Sequence, residues 1–392
     1  MKYFVGTIKY LIYFYLFHLS CTEIISQSND VLKRVKRVSY RDNSKIEWQY
    51  DVGNYYNDPD QRRVTPNILM ALGNISENSC MKFFQTNYIL RPKNNLIVSL
   101  VEDSFDIPPR RPFVITPFYL NNTCSNDPIC IFSKLMYYYG VGPESNRFDR
   151  DDYIIIKEAN FINESYCERS FQKREIWETM VSDYDFGSFF HAQRNECSNG
   201  RKKLTISAKN ELYDKMIGQR FRPSYNDWRA FNDLYCRNYC NEAINCEYDS
   251  YPNYNKCDGT CVCPNGFTGK NCASLTPSES SCGETRLNAT TEKKSLIIHG
   301  IKNCTFLITA PPYKKIKLYF REIHTKQEKI CFEQMGLEIK YLADKGTTGL
   351  CLCGIYKHVA LKSSNNEVLI QYIGKFDKHR FSLNYYVTNA KM

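Results

Sequence analysis

Cysteine is the residue that most limits what this chain can fold into. Eighteen cysteines occur among 392 residues, and six of them fall between Cys240 and Cys272. Such a number is typical of exported proteins, whose disulfides persist in an oxidising compartment. The amino terminus agrees, because Lys2 and Lys9 accompany an apolar run, 11–19, that suits a secretory signal and is too short for a transmembrane helix. The sequence therefore predicts a signal peptide over 1–21 and a secreted, extracellular product.

Two further patterns fit the secretory route. A dibasic cluster over 34–37 predicts cleavage after Arg37, which would end a short pro-segment, 22–37; the alternative is an exposed basic linker. No later segment reaches eighteen consecutive apolar residues, so no transmembrane segment is expected. Five Asn-x-Ser/Thr sequons predict glycosylation, at Asn74, Asn121, Asn163, Asn288 and Asn303.

Composition indicates a folded protein of several domains and argues against nucleic-acid binding. A hydrophobic content of 43% and a charged content of 24% are those of globular proteins, and the length suits two to four domains. The formal net charge is +10, but Lys and Arg are spread along the chain without a basic helix or an RNA-reading motif. We therefore expect no nucleic-acid partner.

Local patterns place a helix before a strand-rich region. Over 67–79, Ile68, Leu72 and Ile75 recur at helical spacing, and this helix should end near Cys80. Two β-rich runs follow, 88–101 and 112–120.

The cysteine-dense region resembles an epidermal-growth-factor (EGF) module over 237–273. The resemblance lies in CVCPNGFTGKNC, where Gly266 and Gly269 permit turns that other residues resist. Six cysteines alone allow fifteen pairings. The resemblance implies three of them: Cys240–Cys257, Cys246–Cys261 and Cys263–Cys272.

Beyond a polar linker, 274–281, six short β-runs at regular spacing predict an antiparallel sandwich. With pairs Cys282–Cys304 and Cys331–Cys351, residues 282–387 resemble a CUB domain. Many CUB domains bind calcium through an Asp soon after the third cysteine. Here that stretch reads CFEQMGLE, so we expect no calcium site.

Residues 38–236 resemble the astacin family of zinc metalloendopeptidases. Matching positions occur in family order, and the resemblance implies a multidomain α+β protein with a metzincin-like first domain. The matches are Trp48, Cys80-Met81-Lys82-Phe83, Asn146 to Tyr153 (NRFDRDDY), Tyr184 to Ser188 (YDFGS), Gly218-Gln219-Arg220, Ser224, Asp227, Asn232 and Tyr235.

The family's zinc motif, H-E-x-x-H-x-x-G-x-x-H, supplies three metal ligands and a general base. Counting back from Arg147, the three ligand positions are Ser133, Tyr137 and Pro143, the general-base position is Lys134, and only Gly140 is kept. The interval 38–236 contains a single histidine, His191, so no alignment supplies three His ligands. We therefore predict no metal ligand, no catalytic residue and no cofactor, although the family would bind zinc.

The resemblance assigns expectations to neighbouring residues as well. In the family's Met-turn, Phe190 replaces Met and Ala192 replaces Tyr, and His191 should be a buried, hydrogen-bonded histidine. The amine of Val38, freed by cleavage, should form an ion pair with Glu144. Other charged side chains should hold the turn after the zinc motif: Arg147, Asp149, Arg150 and Asp152.

Two alternatives concern the space that zinc occupies in the family. Interiors tolerate few large voids, so Tyr137 is expected to enter this space and contact Phe190. The alternative is that Tyr137, Tyr138 and Tyr139 line an open groove.

The remaining cysteines complete the predicted set of disulfides. The resemblance implies Cys80–Cys236. The family's second bridge lacks one partner here, so we predict Cys124–Cys130 and Cys167–Cys197 instead. One of Cys351 and Cys353 is left over.

The sequence thus favours a secreted astacin-type homologue, with EGF-like and CUB modules, that is catalytically inactive and binds extracellular proteins or peptides. An active zinc metalloendopeptidase is one alternative, and a structural extracellular matrix protein is the other.

Overall fold

The computed structural model describes residues 47–51, 59–85, 95–101, 118–162, 165–174, 182–200, 203–240 and 244–388. The predicted signal peptide, Arg37, Val38 and Asn163 lie outside these ranges. Within them, no helix combines the length and the apolar character needed to cross a bilayer.

A parallel sheet begins the N-terminal region, residues 47–236. Its strands lie in the order β2-β1-β3-β4. They are β1 (Glu47–Asp51), β2 (Lys82–Gln85), β3 (Asn95–Val101) and β4 (Phe118–Asn121). Strands β3 and β4 overlap the two β-rich runs expected from the sequence.

Three helices accompany this sheet: α1 (Pro59–Asn78), α2 (Asn122–Ser125) and α3 (Pro128–Tyr138). Helix α1 buries Ile68, Leu72 and Ile75, as their spacing predicted. It starts eight residues earlier than expected, at Pro59, where the missing N–H of proline costs no helical hydrogen bond. Helices α1 and α3 share one apolar core with Phe118 and Leu120 of β4.

The rest of the N-terminal region is built from turns and short elements. Strands β5 (Ile154–Ile156) and β6 (Ile206–Ala208) pair antiparallel, and α4 (Ser165–Ser170) lies between them in the chain. Helix α5 (Tyr225–Tyr235) starts with a capping box, in which the side chains of Ser224 and Asp227 each accept a backbone N–H of the other residue.

The cysteine-rich segment, residues 240–275, has little regular structure. Two short antiparallel pairs hold it, β7 with β8 and β9 with β10. Their bounds are β7 (Tyr251–Pro252), β8 (Cys261–Val262), β9 (Phe267–Thr268) and β10 (Ser274–Leu275). The rings of Tyr248 and Phe267 stack with centroids 4.1 Å apart. Three disulfides supply most of the cross-links that so small a segment needs.

The C-terminal sandwich, residues 282–388, consists of two sheets. Their orders are β11-β13-β18-β15-β16 and β12-β19-β14-β17. Six β-runs were expected, and β11, β16 and β17 are additional. The strands are β11 (Arg286–Asn288), β12 (Lys294–His299), β13 (Asn303–Thr309), β14 (Lys315–His324), β15 (Leu337–Lys340), β16 (Leu350–Leu352), β17 (Ile355–Lys362), β18 (Glu367–Ile373) and β19 (Arg380–Thr388). Phe381 lies between them, in contact with the rings of Phe306, Phe320 and Tyr372.

One disulfide differs from the sequence prediction. We expected Cys331–Cys351, but Cys331 is bonded to Cys353, and Cys351 is a buried free thiol. Cys351 lies inside β16, opposite Glu338 of β15, whereas Cys353 follows the end of that strand and reaches the loop that carries Cys331. The other seven bonds join the pairs named above: Cys80–Cys236, Cys124–Cys130, Cys167–Cys197, Cys240–Cys257, Cys246–Cys261, Cys263–Cys272 and Cys282–Cys304.

The N-terminal region and the sandwich share a continuous apolar core. The hydroxyl of Tyr213 donates to that of Tyr341 at 2.7 Å, and a Cβ on Gly187 would lie 2.6 Å from the side chain of Thr348. Such close approach means that these surfaces are complementary rather than loosely apposed. From the N-terminal region this core receives Ile154, Phe171, Tyr184, Phe186, Ile206, Tyr213, Met216 and Ile217.

Candidate functional site

Helix α3 carries three of the four predicted active-site positions, and both of its ends are well defined. The side chain of Asp127 accepts the N–H of Ile129 at 2.9 Å, which caps the start. At the end, Gly140 adopts a φ of +94°, and the N–H of Val141 donates to the carbonyl of Met136 at 3.0 Å. This is the hydrogen-bond pattern of a Schellman motif, which needs a residue that tolerates the left-handed region. Gly140 therefore stops the helix and redirects the chain.

The two faces of α3 differ in their surroundings. Ile131, Phe132, Leu135, Met136 and Tyr138 point into the apolar core. The positions predicted for the first and second ligands, Ser133 and Tyr137, are one helical turn apart and lie on the other face. Ser133 is half-buried, and Tyr137 is 37% exposed. Ile129 precedes Ser133 by one more turn and is 46% exposed. We call Ile129, Ser133 and Tyr137 the outer stripe of α3.

The residues at the predicted ligand positions do not fit zinc. Zinc in proteins takes thiolate, imidazole or carboxylate donors, whereas Ser133 offers a hydroxyl, Tyr137 a phenol, and Pro143 no side-chain donor. The ammonium of Lys134 stands where the family has its general base and would repel a cation. Among the described residues, no group of three or more His, Cys, Asp or Glu side chains is placed to hold a metal ion.

The expected contact between Tyr137 and Phe190 is wrong. The ring of Phe132 makes this contact instead, at 6.1 Å from the ring of Phe190 and 5.7 Å from that of Phe189. Residues 132 and 137 differ by about 140° around a helix of 3.6 residues per turn, so one faces the core when the other faces outward. Aromatic packing beneath α3 therefore comes from Phe132, while Tyr137 remains at the surface.

The other two tyrosines belong to the core of the N-terminal region. The ring of Tyr138 lies 5.6 Å from that of Phe118 in β4. Tyr139 contacts Phe231 and Tyr235 of α5 at 6.0 and 5.8 Å. The run of three tyrosines therefore divides between core and surface, as consecutive positions of a helix must.

Asp227 positions the segment that passes beneath α3. Its carboxylate accepts the hydroxyl of Ser188 at 2.7 Å and the N–H groups of Phe189 and Ser224 at 2.9 and 2.8 Å. Burial, and then the neighbouring Asp185 carboxyl, raises the pKa of Asp227 to about 7, while these donors favour the carboxylate. The start of α5 and the segment around Phe189 are thereby fixed to each other.

Arg147 holds the turn that follows residues 133–143, the segment aligned with the family's zinc motif. Its guanidinium makes a two-point contact with the carboxylate of Asp149, at 2.9 Å each, and donates to Glu144 at 2.8 Å. Arg150 donates to the carbonyls of Ser145 and Phe171. Asp152, which was expected to share this role, is exposed. A fork-to-carboxylate contact fixes geometry better than a single bond does, so Arg147 is the centre of this turn.

Glu144 accepts two hydrogen bonds on one oxygen. The Arg147 guanidinium and the N–H of Asp185 both donate to Oε1 at 2.8 Å. Among the described residues, none donates to Oε2. Burial raises the pKa of Glu144 to about 7, and the charge of Arg147 opposes this rise. The predicted partner, the Val38 amine, lies outside the described residues.

His191 is completely buried and has a partner on each ring nitrogen. Its Nδ1 lies 2.9 Å from the carbonyl of Ala192, which can only accept, so Nδ1 carries the hydrogen. Its Nε2 therefore accepts, and the hydroxyl of Tyr184 donates to it at 2.9 Å. Burial lowers the pKa of His191 to about 4. The residue is a neutral structural histidine in this arrangement.

Burial of neutral His191 should make the stability of the chain depend on pH. The folded-state pKa lies below the usual 6.5, so the stabilisation is present above pH 6.5 and is lost as the pH falls towards 4. Between pH 7 and 4 we expect the unfolding free energy of the native chain to fall by about 3 kcal/mol more than that of His191→Gln. Urea denaturation at several pH values measures this difference.

The matched control is His358→Gln, which replaces an exposed histidine. It should follow the native pH dependence. Parallel curves for the native chain and His191→Gln would contradict the assignment.

Sequence reasoning missed Phe132 as the residue that packs beneath α3. The sequence does contain an indication of this role. Apolar residues recur at helical spacing, as Ile131, Phe132, Leu135 and Met136, and this pattern predicts the core face of an amphipathic helix. That pattern would have placed Phe132 inward and Tyr137 outward.

The N-terminal region is similar to known proteins. Residues 40–236 match the family model described as Astacin, a family of peptidases. Zinc metalloproteinase nas-30 of Caenorhabditis elegans is 32% identical over 59% of this chain and 31% of its own length. Zinc metalloproteinase nas-34 of the same organism is 31% identical over 62% of this chain and 39% of its own length.

A solved structure is also similar, high choriolytic enzyme 1 of Oryzias latipes, a hatching enzyme zinc-protease. It is 20% identical, with a TM-score of 0.42, over 51% of this chain and 94% of its own. This chain spans between 31% and 39% of the length of the two nematode proteins.

The family model covers half of the chain, in the region that contains α3, the Arg147 turn and the Asp227 contacts. The C-terminal region is mostly β and rich in disulfides. The chain therefore belongs to the astacin family of peptidases.

Proposed function

We propose that this chain is a secreted, glycosylated astacin homologue that holds extracellular proteins or peptides without cleaving them. The observation that carries the proposal is the outer stripe of α3. At two of the three positions where the family motif has imidazoles, Ser133 and Tyr137 lie on the outer face of α3, with Lys134 at the general-base position.

Hydrolysis would need a group that activates water and groups that stabilise the charge that develops. The ammonium of Lys134 accepts no proton at neutral pH. At the positions of the family's Met and Tyr, Phe190 is buried against Phe132, and Ala192 has no hydroxyl. Three parts of one mechanism are thus replaced, which supports an inactive homologue over an active metalloendopeptidase.

The same face retains features suited to binding. Ile129 and Tyr137 present apolar surface along about 12 Å of helix. An extended peptide segment with alternating side chains could place one apolar side chain on each. The cysteine-rich segment and the sandwich, which we interpret as EGF-like and CUB modules, would extend the binding surface. This interpretation favours a binding protein over a purely structural matrix protein.

We further propose that cleavage after Arg37 places the Val38 amine on Glu144. The geometry of Glu144 supports this, because both hydrogen bonds from the described residues fall on Oε1, and Oε2 can accept from the amine. Amino-terminal sequencing of the secreted chain should begin at Val38, and any other start would contradict the pairing.

The test of the proposed function is incubation of the purified secreted chain with a mixed peptide library. We expect a subset of peptides to be retained and recovered intact by mass spectrometry. Tyr137→Ala should weaken retention about tenfold, a loss on the scale of one truncated aromatic contact, without lowering the melting temperature. Its matched control, Phe148→Ala, removes another exposed ring and should bind as the native chain does.

Cleaved peptides in that experiment would support an active peptidase instead. Retention unaffected by Tyr137→Ala, or no retention at all, would contradict binding at α3.

A further inference from the structure

The positive charge of this chain is concentrated in the C-terminal sandwich. Residues 282–388 contain seventeen Lys and Arg against nine Asp and Glu, so they carry +8 of the chain's formal net charge of +10. A charge so localised raises the concentration of anions near the surface that holds it.

Much of this charge lies on one side of one sheet. In the sheet β12-β19-β14-β17, alternate residues are buried in the sandwich, among them Leu318, Phe320 and Phe381. The residues between them point outward, because side chains alternate along a strand. We call five of the cations on that side the outer basic face: Lys317, Arg321, Lys357, Lys362 and Arg380.

The cations of this face have little acidic compensation. Its one carboxylate, Glu322, makes a two-point contact with Arg380 at 2.8 and 3.0 Å. Among the described residues, no carboxylate forms an ion pair with Lys317, Arg321 or Lys362. Arg321 instead donates to the side chain of Asn384 at 3.3 Å. The face therefore keeps a net excess of positive charge.

Two of the lysines are placed directly opposite each other. Lys317 of β14 and Lys362 of β17 are partners in the antiparallel register. Like charges in this position destabilise a sheet. The ammonium of Lys317 also lies 5.9 Å from the ring centroid of Tyr386. An anion bound between Lys317 and Lys362 would offset this repulsion, which gives a reason for the opposed pair.

Neutral hydrogen-bonding groups lie between the cations. The hydroxyl of Tyr319 is bonded to Nδ1 of His358 at 2.7 Å, and Asn384 and Ser382 are the register partners of Tyr319 and Glu322. From Lys317 to Arg380, which pairs with His324, the face extends about 20 Å along the strands. It is flat, long and polar rather than a compact pocket.

We propose that the outer basic face binds a sulfated polysaccharide of the glycosaminoglycan class. Such a chain is linear and carries repeated sulfates, which match the separated Lys and Arg side chains, and its hydroxyls match the Tyr, Ser and Asn side chains. A lipid surface would need apolar side chains among the cations, whereas the exposed Ile297 and Ile355 lie at the margins of this face, on the edge strands β12 and β17. The choice of a polysaccharide over a nucleic acid rests on the secretion proposed above.

The probe is heparin of defined length, titrated calorimetrically against the full secreted chain at several salt concentrations. We expect Lys317→Gln with Lys362→Gln to weaken binding about tenfold or more and to lower the slope of log affinity against log salt by about two, since two fewer counterions are released. The control, Lys293→Gln with Lys329→Gln, removes two exposed lysines outside this sheet and should change affinity less than about threefold.

Three further titrations distinguish a sulfated polysaccharide from the other anionic ligands that this face could bind. Fully desulfated heparin of the same length, phosphatidylserine vesicles and poly-glutamate should each bind more weakly than heparin. The double variant should keep its melting temperature or raise it, because the opposed lysines are removed. Equal binding by both double variants, equal binding of sulfated and desulfated chains, or a preference for vesicles or poly-glutamate would overturn the proposal. None of these outcomes depends on whether peptides bind at α3.

Discussion

Phe132→Ala should lower the free energy of unfolding by about 3–5 kcal/mol, the usual cost of truncating a buried aromatic. The reason is its place beneath α3, where its ring contacts Phe189, Phe190 and Trp228 within about 6 Å. Removing the ring opens a cavity between α3 and the segment fixed by Asp227. Urea denaturation of the purified chain, followed by tryptophan fluorescence, measures the change.

Tyr137→Ala is the matched control on the same helix. Its side chain is 37% exposed, so its truncation should change stability by less than about 1 kcal/mol. A large loss for Tyr137→Ala and a small one for Phe132→Ala would mean that Tyr137, and not Phe132, occupies the interior.

Asp344→Ala should be the second costly substitution, at about 3–5 kcal/mol. Asp344 of the sandwich and Arg229 of α5 form a two-point ion pair in which the side chains are 14% and 12% exposed. Loss of the carboxylate leaves a largely buried guanidinium without its charged partner. Because this pair joins the N-terminal region to the sandwich, the variant should also be cut faster by added trypsin.

The pair between Glu322 and Arg380 is the matched control. It has similar geometry, but its side chains are about 40% exposed, and exposed pairs contribute about 1 kcal/mol or less. Glu322→Ala should therefore be nearly neutral. Equal losses for Asp344→Ala and Glu322→Ala would contradict the shared core as the reason for the difference.

Local features of the fold could be predicted from the sequence because they depend on short-range patterns. The spacing of Ile68, Leu72 and Ile75 determines which face of α1 is buried. Gly140 predicts the end of α3, since few other residues adopt a φ of +94°. That the interval 38–236 contains no histidine other than His191 follows from the sequence alone.

Features that depend on distant contacts could not be predicted in the same way. The choice between Cys351 and Cys353 depends on where β16 ends relative to the loop of Cys331. Likewise, Gly187 and Thr348 are 161 positions apart, so no local pattern indicates their contact. The outer basic face was missed because its cations come from three strands that are separated in the chain. From the sequence alone, the net charge of +10 was therefore interpreted as spread along the chain.

The central proposal is that this member of the astacin family has lost the family's metal chemistry. The most direct test is zinc content per chain, measured by elemental analysis on the purified protein after equilibration with micromolar zinc and gel filtration. We expect well under one tenth of a zinc per chain, and no zinc-dependent change in melting temperature. The variant combining Ser133→His, Lys134→Glu, Tyr137→His and Pro143→His restores the family's three ligands and its general base, and should retain more zinc than the native chain. One zinc per native chain, lost on Tyr137→Phe and accompanied by peptide cleavage, would contradict the claim.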